Sequence, residues 1–115
     1  MKPASAKAKG RRLQNDLRDM ISKRFGLEEG DVKAAVMGEK GADLHLSPAA
    51  RRVFPYAVEA KNVERLNVWT AYDQAASNAG KLEPLLVMKR NRSKLLVVVS
   101  LDHFMDLVDR SKGEG

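Results

Sequence analysis

The 115-residue chain contains no cysteine. Disulfides, thiolate zinc sites and cysteine nucleophiles are therefore excluded, which suits a reducing cytoplasm. Histidine is almost as scarce, with two residues, so a transition-metal cluster is not expected. No apolar run approaches the roughly 20 residues of a membrane span, and the basic start leads into no apolar secretory segment. Residues 1–12 lack acids and so match a transit peptide in composition, but a flexible basic arm is the simpler reading. Internal repeats are absent. What is left is one small domain, long enough to bury a single core.

Net charge is +6, and its placement matters more than its size. Residues 1–24 hold eight Lys/Arg against two Asp, residues 25–88 seven against nine, and residues 89–115 six against four. The surplus lies in the N-terminal arm and first helix, with a second cluster at Lys89-Arg90-Asn91-Arg92-Ser93-Lys94. A polyanion is the natural partner of such patches. A merely solubilising charge pattern is the alternative.

Apolar periodicity orders the elements. Residues 1–10 lack it and read as a flexible basic arm, ahead of a single domain at 11–110 and a disordered tail at 111–115. Leu13, Leu17, Met20, Ile21 and Phe25 recur at helical spacing, with Gly26 as the stop. Strands are expected at 32–37, 43–47 and 56–61. A hairpin turn falls at 38–41, and a loop with room for one helical turn at 47–52. Asn67 caps a helix running to about Ala79. Two more strands follow at 85–89 and 95–100, the Val97-Val98-Val99 run reading as buried. Ser100 caps a last helix whose Leu101, Phe104, Met105 and Val108 face inward. The fold class is α/β, with a mixed sheet whose first three strands form a meander and with helix 67–79 as a crossover, in the order αβββαββα.

Within this order, Asp43 stands fifteen residues before Glu59-Ala60-Lys61. Strand alternation puts Glu59 and Lys61 on one face. Phosphodiester hydrolysis needs an activated water and a stabilised leaving oxygen, and divalent metals supply both. Magnesium typically takes one or two carboxylates, so Asp43 and Glu59 are candidate ligands, with the Ala60 carbonyl as a third and Mn2+ as a substitute ion. Lys61 is placed to orient the water or offset phosphate charge. The competing account is a salt-bridge pair at a strand end.

Three stretches resemble the PD-(D/E)XK nuclease superfamily, and within it archaeal-type Holliday junction resolvases and their phage relatives. They are Lys9-Gly10-Arg11-Arg12-Leu13-Gln14, Gly41-Ala42-Asp43 and Val58-Glu59-Ala60-Lys61-Asn62. The resemblance covers most of the chain. It implies a restriction-endonuclease-like sheet flanked by helices and metal-dependent cleavage of four-way DNA junctions by a homodimer in the cytoplasm, that of a bacterial or archaeal host if phage-encoded. Asp43 and Glu59 would be the metal ligands and Lys61 the catalytic lysine. Other nucleases of the superfamily, acting on nicks, flaps or duplex DNA, and a non-catalytic DNA-binding module are the alternatives.

Two positions depart from the family pattern: Ala42 replaces the nominal proline, and Gln14 the helix glutamate. An amide can orient a water or ligate weakly, but carries no charge. At about 100° per residue, Gln14 lies closer to the apolar stripe than Asp16, the other candidate. Gln74 on the crossover helix is either solvated or turned toward DNA or a partner subunit. Arg11, Arg12, Arg51, Arg52 and Arg65 cluster around the acids in sequence, and Lys89, Arg90, Arg92 and Lys94 extend a possible phosphate track. His45 and His103 are expected to be structural, and Trp69 and Tyr72 to serve the core or a subunit interface.

Overall fold

Four-residue spacing puts Leu13, Leu17 and Ile21 on one side of a helix, and in the computed structural model all three are buried. The structure describes residues 3–36 and 38–114. Helix α1 (Pro3–Arg24) packs this stripe into a core with Val32, Leu44, Val58 and Val87. It stops where Gly26 takes φ 62°, a conformation glycine adopts without a Cβ clash. There the Leu27 N–H donates to the Ser22 carbonyl (2.9 Å), satisfying one of the helix's terminal acceptors.

The arm expected at 1–10 is instead helical from Pro3 onward. Alanine and lysine are strong helix formers, and proline is tolerated in the first turn, so lack of an apolar stripe removed packing rather than helicity. The expected tail is helical as well, to Glu114.

Strands β1 (Val32–Ala34) and β2 (Leu44–Leu46) pair antiparallel, Val32 opposite Leu46 and Ala34 opposite Leu44. Gly38 and Gly41, with φ 83° and 103°, shape the intervening turn. Met37, the expected end of the first strand, lies outside the described residues. Ser47 caps α2 (Pro48–Val53) by accepting the Ala50 N–H (3.1 Å), and its hydroxyl donates to Asp31 (2.7 Å). Strand β3 (Tyr56–Asn62) runs parallel to β4 (Glu83–Lys89), as a crossover through α3 (Val68–Ser77) requires. Strand β5 (Leu96–Val98) is antiparallel to β4.

The α/β class and mixed strand pairing are present, but the three-strand meander is not. The β1–β2 hairpin and the β3–β4–β5 sheet are separate ladders. Helix α2 intervenes, and the hairpin meets β3 only near Asp43. On β3, Val58 and Ala60 join the α1 core while Ala57 and Glu59 face the opposite side. There Ala71 and Ala75 of α3 are small enough for close approach to the sheet.

Two expectations of burial fail. Val97 on β5 is 58% exposed, and Leu101 and Phe104 on α4 (Leu101–Glu114) are 73% and 53% exposed. Strand β5 is a sheet edge, and among the described residues no helix packs closely on it. Helix α4 leaves the sheet after Ser100, held at its first turn by His103. That imidazole lies 2.6 Å from the Tyr56 hydroxyl and 3.5 Å from Glu83 Oε1, the structural role expected for it. Trp69 is 83% exposed, so it does not belong to the core.

Removing packed methylenes should separate these classes. Leu17→Ala should lower the unfolding free energy by about 2–5 kcal/mol in urea titration. Trp69→Ala should change it by less than about 0.5 kcal/mol. The opposite ranking would overturn the assignment of the core.

Candidate active site

Asp43 ends the turn before β2, and both its backbone and side chain bond to β3. Its N–H donates to the Val58 carbonyl (2.9 Å), and its Oδ2 accepts the Ala60 N–H (2.7 Å). Its own carbonyl accepts the Ala35 N–H (2.8 Å), closing the hairpin beneath it. Alternate residues of a strand direct their backbone groups to opposite edges. Val58 and Ala60 thus address Asp43, while Ala57, Glu59 and Lys61 address β4. The Ala60 carbonyl shares the Asp43 edge with its N–H.

Glu59 lies between these two contacts and is only 2% exposed, the one charged side chain so deeply buried among the described residues. Its Oε2 has no hydrogen-bond partner, and its Oε1 is 3.9 Å from Lys61 Nζ, a loose ion pair. Burial pushes the Glu59 carboxyl up to about 7, with the nearby Asp43 charge acting in the same direction. Lys61 opposes the shift. Near pH 7 the Glu59 carboxyl is therefore partly protonated.

The donors present, two carboxylates and the Ala60 carbonyl, are all hard oxygens, and the partnerless Oε2 is a buried acceptor awaiting a donor or cation. This set fits a magnesium-type ion, which needs only one or two protein carboxylates. No group of three or more His, Asp or Glu side chains converges among the described residues, so any such ion would keep much of its water shell.

The other sequence candidates are placed differently. Gln14 lines a cleft of about 700 Å³ with Arg11, Arg18 and Ala34–Val36. The cleft reaches Ala35, which bonds to Asp43, but neither acid lines it, and Glu59 faces the other side of β3. Asp16 is exposed on α1. Arg51 borders a small cavity of about 240 Å³ with Ala42, His45 and Ala57, next to Asp43, whereas Arg52 and Arg65 are exposed. His45 sits 3.3 Å from Glu39 across the hairpin turn and does not join the acids. Gln74 is exposed on α3.

At the β4–β5 turn the Lys89 ammonium is bound to the Arg90 and Ser93 carbonyls (3.1 and 3.4 Å), so it braces the turn. Arg90, Arg92 and Lys94 remain exposed. Arg92 holds φ 61°, a left-handed conformation that positions the tip of the turn. Residues missed in the sequence bind this region together. Glu64 accepts the Asn91 N–H (2.7 Å), and Lys9 donates to Asn91 Oδ1 (2.7 Å), joining the two basic clusters. Their separation of 82 positions left no local signal for the Lys9 contact. Asn62, which follows Lys61 on the α1 side of β3, also buries an unpaired amide oxygen.

No match to the chain is found among protein-family models, curated proteins or solved structures. No helix among the described residues is long and apolar enough to cross a membrane.

The raised Glu59 pKa has a definite pH signature. A native value of about 7 lies above the ordinary 4.5, so the folded state binds the extra proton. Stability is then unaffected below pH 4.5, falls as pH rises from 4.5 to 7, and levels off above 7. The full effect is about 3 kcal/mol. Unfolding titrations of wild type and Glu59→Gln across this range isolate it: their difference should shift in favour of Gln as pH rises. A pH-independent difference would refute the buried, partnerless carboxyl.

Proposed function

We propose that the chain is a metal-dependent endonuclease acting on branched DNA, a Holliday junction resolvase in the sense of the sequence resemblance. The observation that carries this reading is the convergence of Asp43 on Glu59-Ala60-Lys61 through the Ala60 N–H bond. A salt bridge at a strand end does not require a buried acid with an unpaired oxygen beside a second acid. Such a pair of hard oxygen donors suits a divalent cation.

When bound, a magnesium-type ion would offset the charge of the scissile phosphate and lower the pKa of a coordinated water. Asp43 and Glu59 would hold it, with the Ala60 carbonyl on the same strand edge. The Ala60 N–H fixes the Asp43 carboxylate, so this ligand needs little reorganisation on binding. Lys61, partly exposed and loosely paired to Glu59, can turn its ammonium toward a phosphate oxygen. Basic residues on α1, on α2 and at the β4–β5 turn suit backbone contacts rather than base readout. A restriction-endonuclease-like relation among the elements, and pairing of two sites in a homodimer to make symmetric nicks, belong to the same proposal.

One observation favours a second reading. Gln14 replaces the family's helix acid and lines a cleft that excludes both carboxylates. A module that binds branched DNA without cutting it would have this property.

Purified protein with magnesium should nick a four-way junction and leave a matched linear duplex largely intact. Asp43→Ala and Glu59→Ala should each lower cutting by more than about a hundredfold while junction binding persists. Binding without cutting by the wild type selects the non-catalytic reading, and equal cutting of both substrates removes the junction preference. Gln14→Ala should lose activity without unfolding if the amide positions a water. An unchanged rate makes it a surface residue.

A further inference from the structure

Two exposed apolar surfaces are linked by the ring contacts that run from Phe25 through Phe54 and Tyr56 to His103. Helix α4 presents Leu101, Phe104 and Met105 at three- and four-residue spacing to solvent. Beside it, Met20 and Phe25 of α1, together with Leu95 and Val97, border a groove floored by Val58 and Val87. Its volume is about 240 Å³, and Arg24 is its one charged lining residue. Both features belong to the same chain, and α4 does not occupy the groove, as the exposure of its own apolar face shows. The His103 contacts to Tyr56 and Glu83 hold α4 by its first turn, at the end of the sheet where β3 and β4 begin.

We propose that a second copy of this chain covers this surface, with α4 of each protomer laid into the groove between α1 and β5 of the other. Area supports a second copy. Large apolar side chains offer on the order of 200 Å² each, and eight of them are at least one-third exposed here, on Met20, Phe25, Leu95, Val97, Leu101, Phe104, Met105 and Leu107. Together they leave on the order of 800 Å² per chain, above the roughly 300–600 Å² of the largest patch on a typical monomer. It matches the roughly 800 Å² that each partner buries in a standard dimer. Charge is also complementary. Asp102 and Asp109 flank the apolar face of α4, while Arg24 at the end of α1 lines the groove. Helix-into-groove exchange is reciprocal, so two grooves take two helices and a closed twofold dimer results. The inference gives a physical form to the pairing of sites in the nuclease reading, but it rests on apolar surface alone and survives the loss of that reading.

Oligomeric state tests it without reference to DNA or metal. At about 100 µM, far above the weak end expected for interfaces of this size, the full chain should sediment at twice its 12.8 kDa mass. Phe104→Glu on the helix and Val97→Lys in the groove should each shift it to a monomer with an unchanged circular dichroism spectrum, because both side chains are more than half exposed. The absence of cysteine permits a second test. Met105→Cys and Phe25→Cys chains, mixed and oxidised, should form a disulfide-linked heterodimer in excess of either homodimer. A monomeric wild type at this concentration overturns the proposal. So does a dimer that survives both charge substitutions, or one in which the mixed disulfide does not form.

Discussion

The hydrogen bond from the Ala60 N–H to Asp43 Oδ2, with the return bond from the Asp43 N–H to the Val58 carbonyl, is the constraint on which the site depends. The hairpin and the three-stranded sheet share no ladder, so these bonds set how one lies against the other at this point. They spend backbone groups that β3 cannot direct to β4, because alternate residues of a strand face opposite edges. Through them, the position of the first acid is referred to the strand that carries the second. A small core then suffices: Leu13, Leu17 and Ile21 of α1 cover the side of β3 away from Glu59, and α3 covers the other with alanines.

Burial of Glu59 follows from this packing and gives the site its chemical character. A carboxyl removed from water, next to another acid and only loosely approached by Lys61, is unfavourable as an ion. The folded chain tolerates it because the rest of the core contributes more. Local conflicts of this kind in an otherwise consistent sequence are expected at functional sites.

The periodic and punctuating residues were legible in the sequence. Leu13, Leu17 and Ile21 identified α1, Gly26 its end, Asn67 the cap of α3, and the Val58–Lys61 stretch its strand and facing. The joining of Asp43 to Ala60 was legible only as a spacing, since it depends on a non-local hydrogen bond. Three kinds of feature were misread. The helical start of α1 rests on propensity without periodicity, so its polar residues resembled an arm. The Val97-Val98-Val99 run and the apolar face of α4 carry the same pattern whether their cover comes from the chain itself or from elsewhere. The Lys89 side chain counted as one more positive charge, but turn geometry directs it inward. Charge counting cannot separate a cation that braces a loop from one that meets solvent.

Helix α1 extends well ahead of Leu13, its first buried residue, and its first turn contains no acid. Lys7, Lys9, Arg11 and Arg12 repel one another near the positive end of the helix dipole, and a stretch this short is marginal without packing. The Lys9–Asn91 contact is its one long-range side-chain bond among the described residues. The length of α1 is therefore a thermodynamic variable rather than a fixed dimension. It grows as salt screens the repulsion and grows further against any polyanion that supplies the missing negative charge. Part of the affinity for such a partner would then appear as helix formation, and dilution of salt would loosen the same turns that it makes most attractive to the partner.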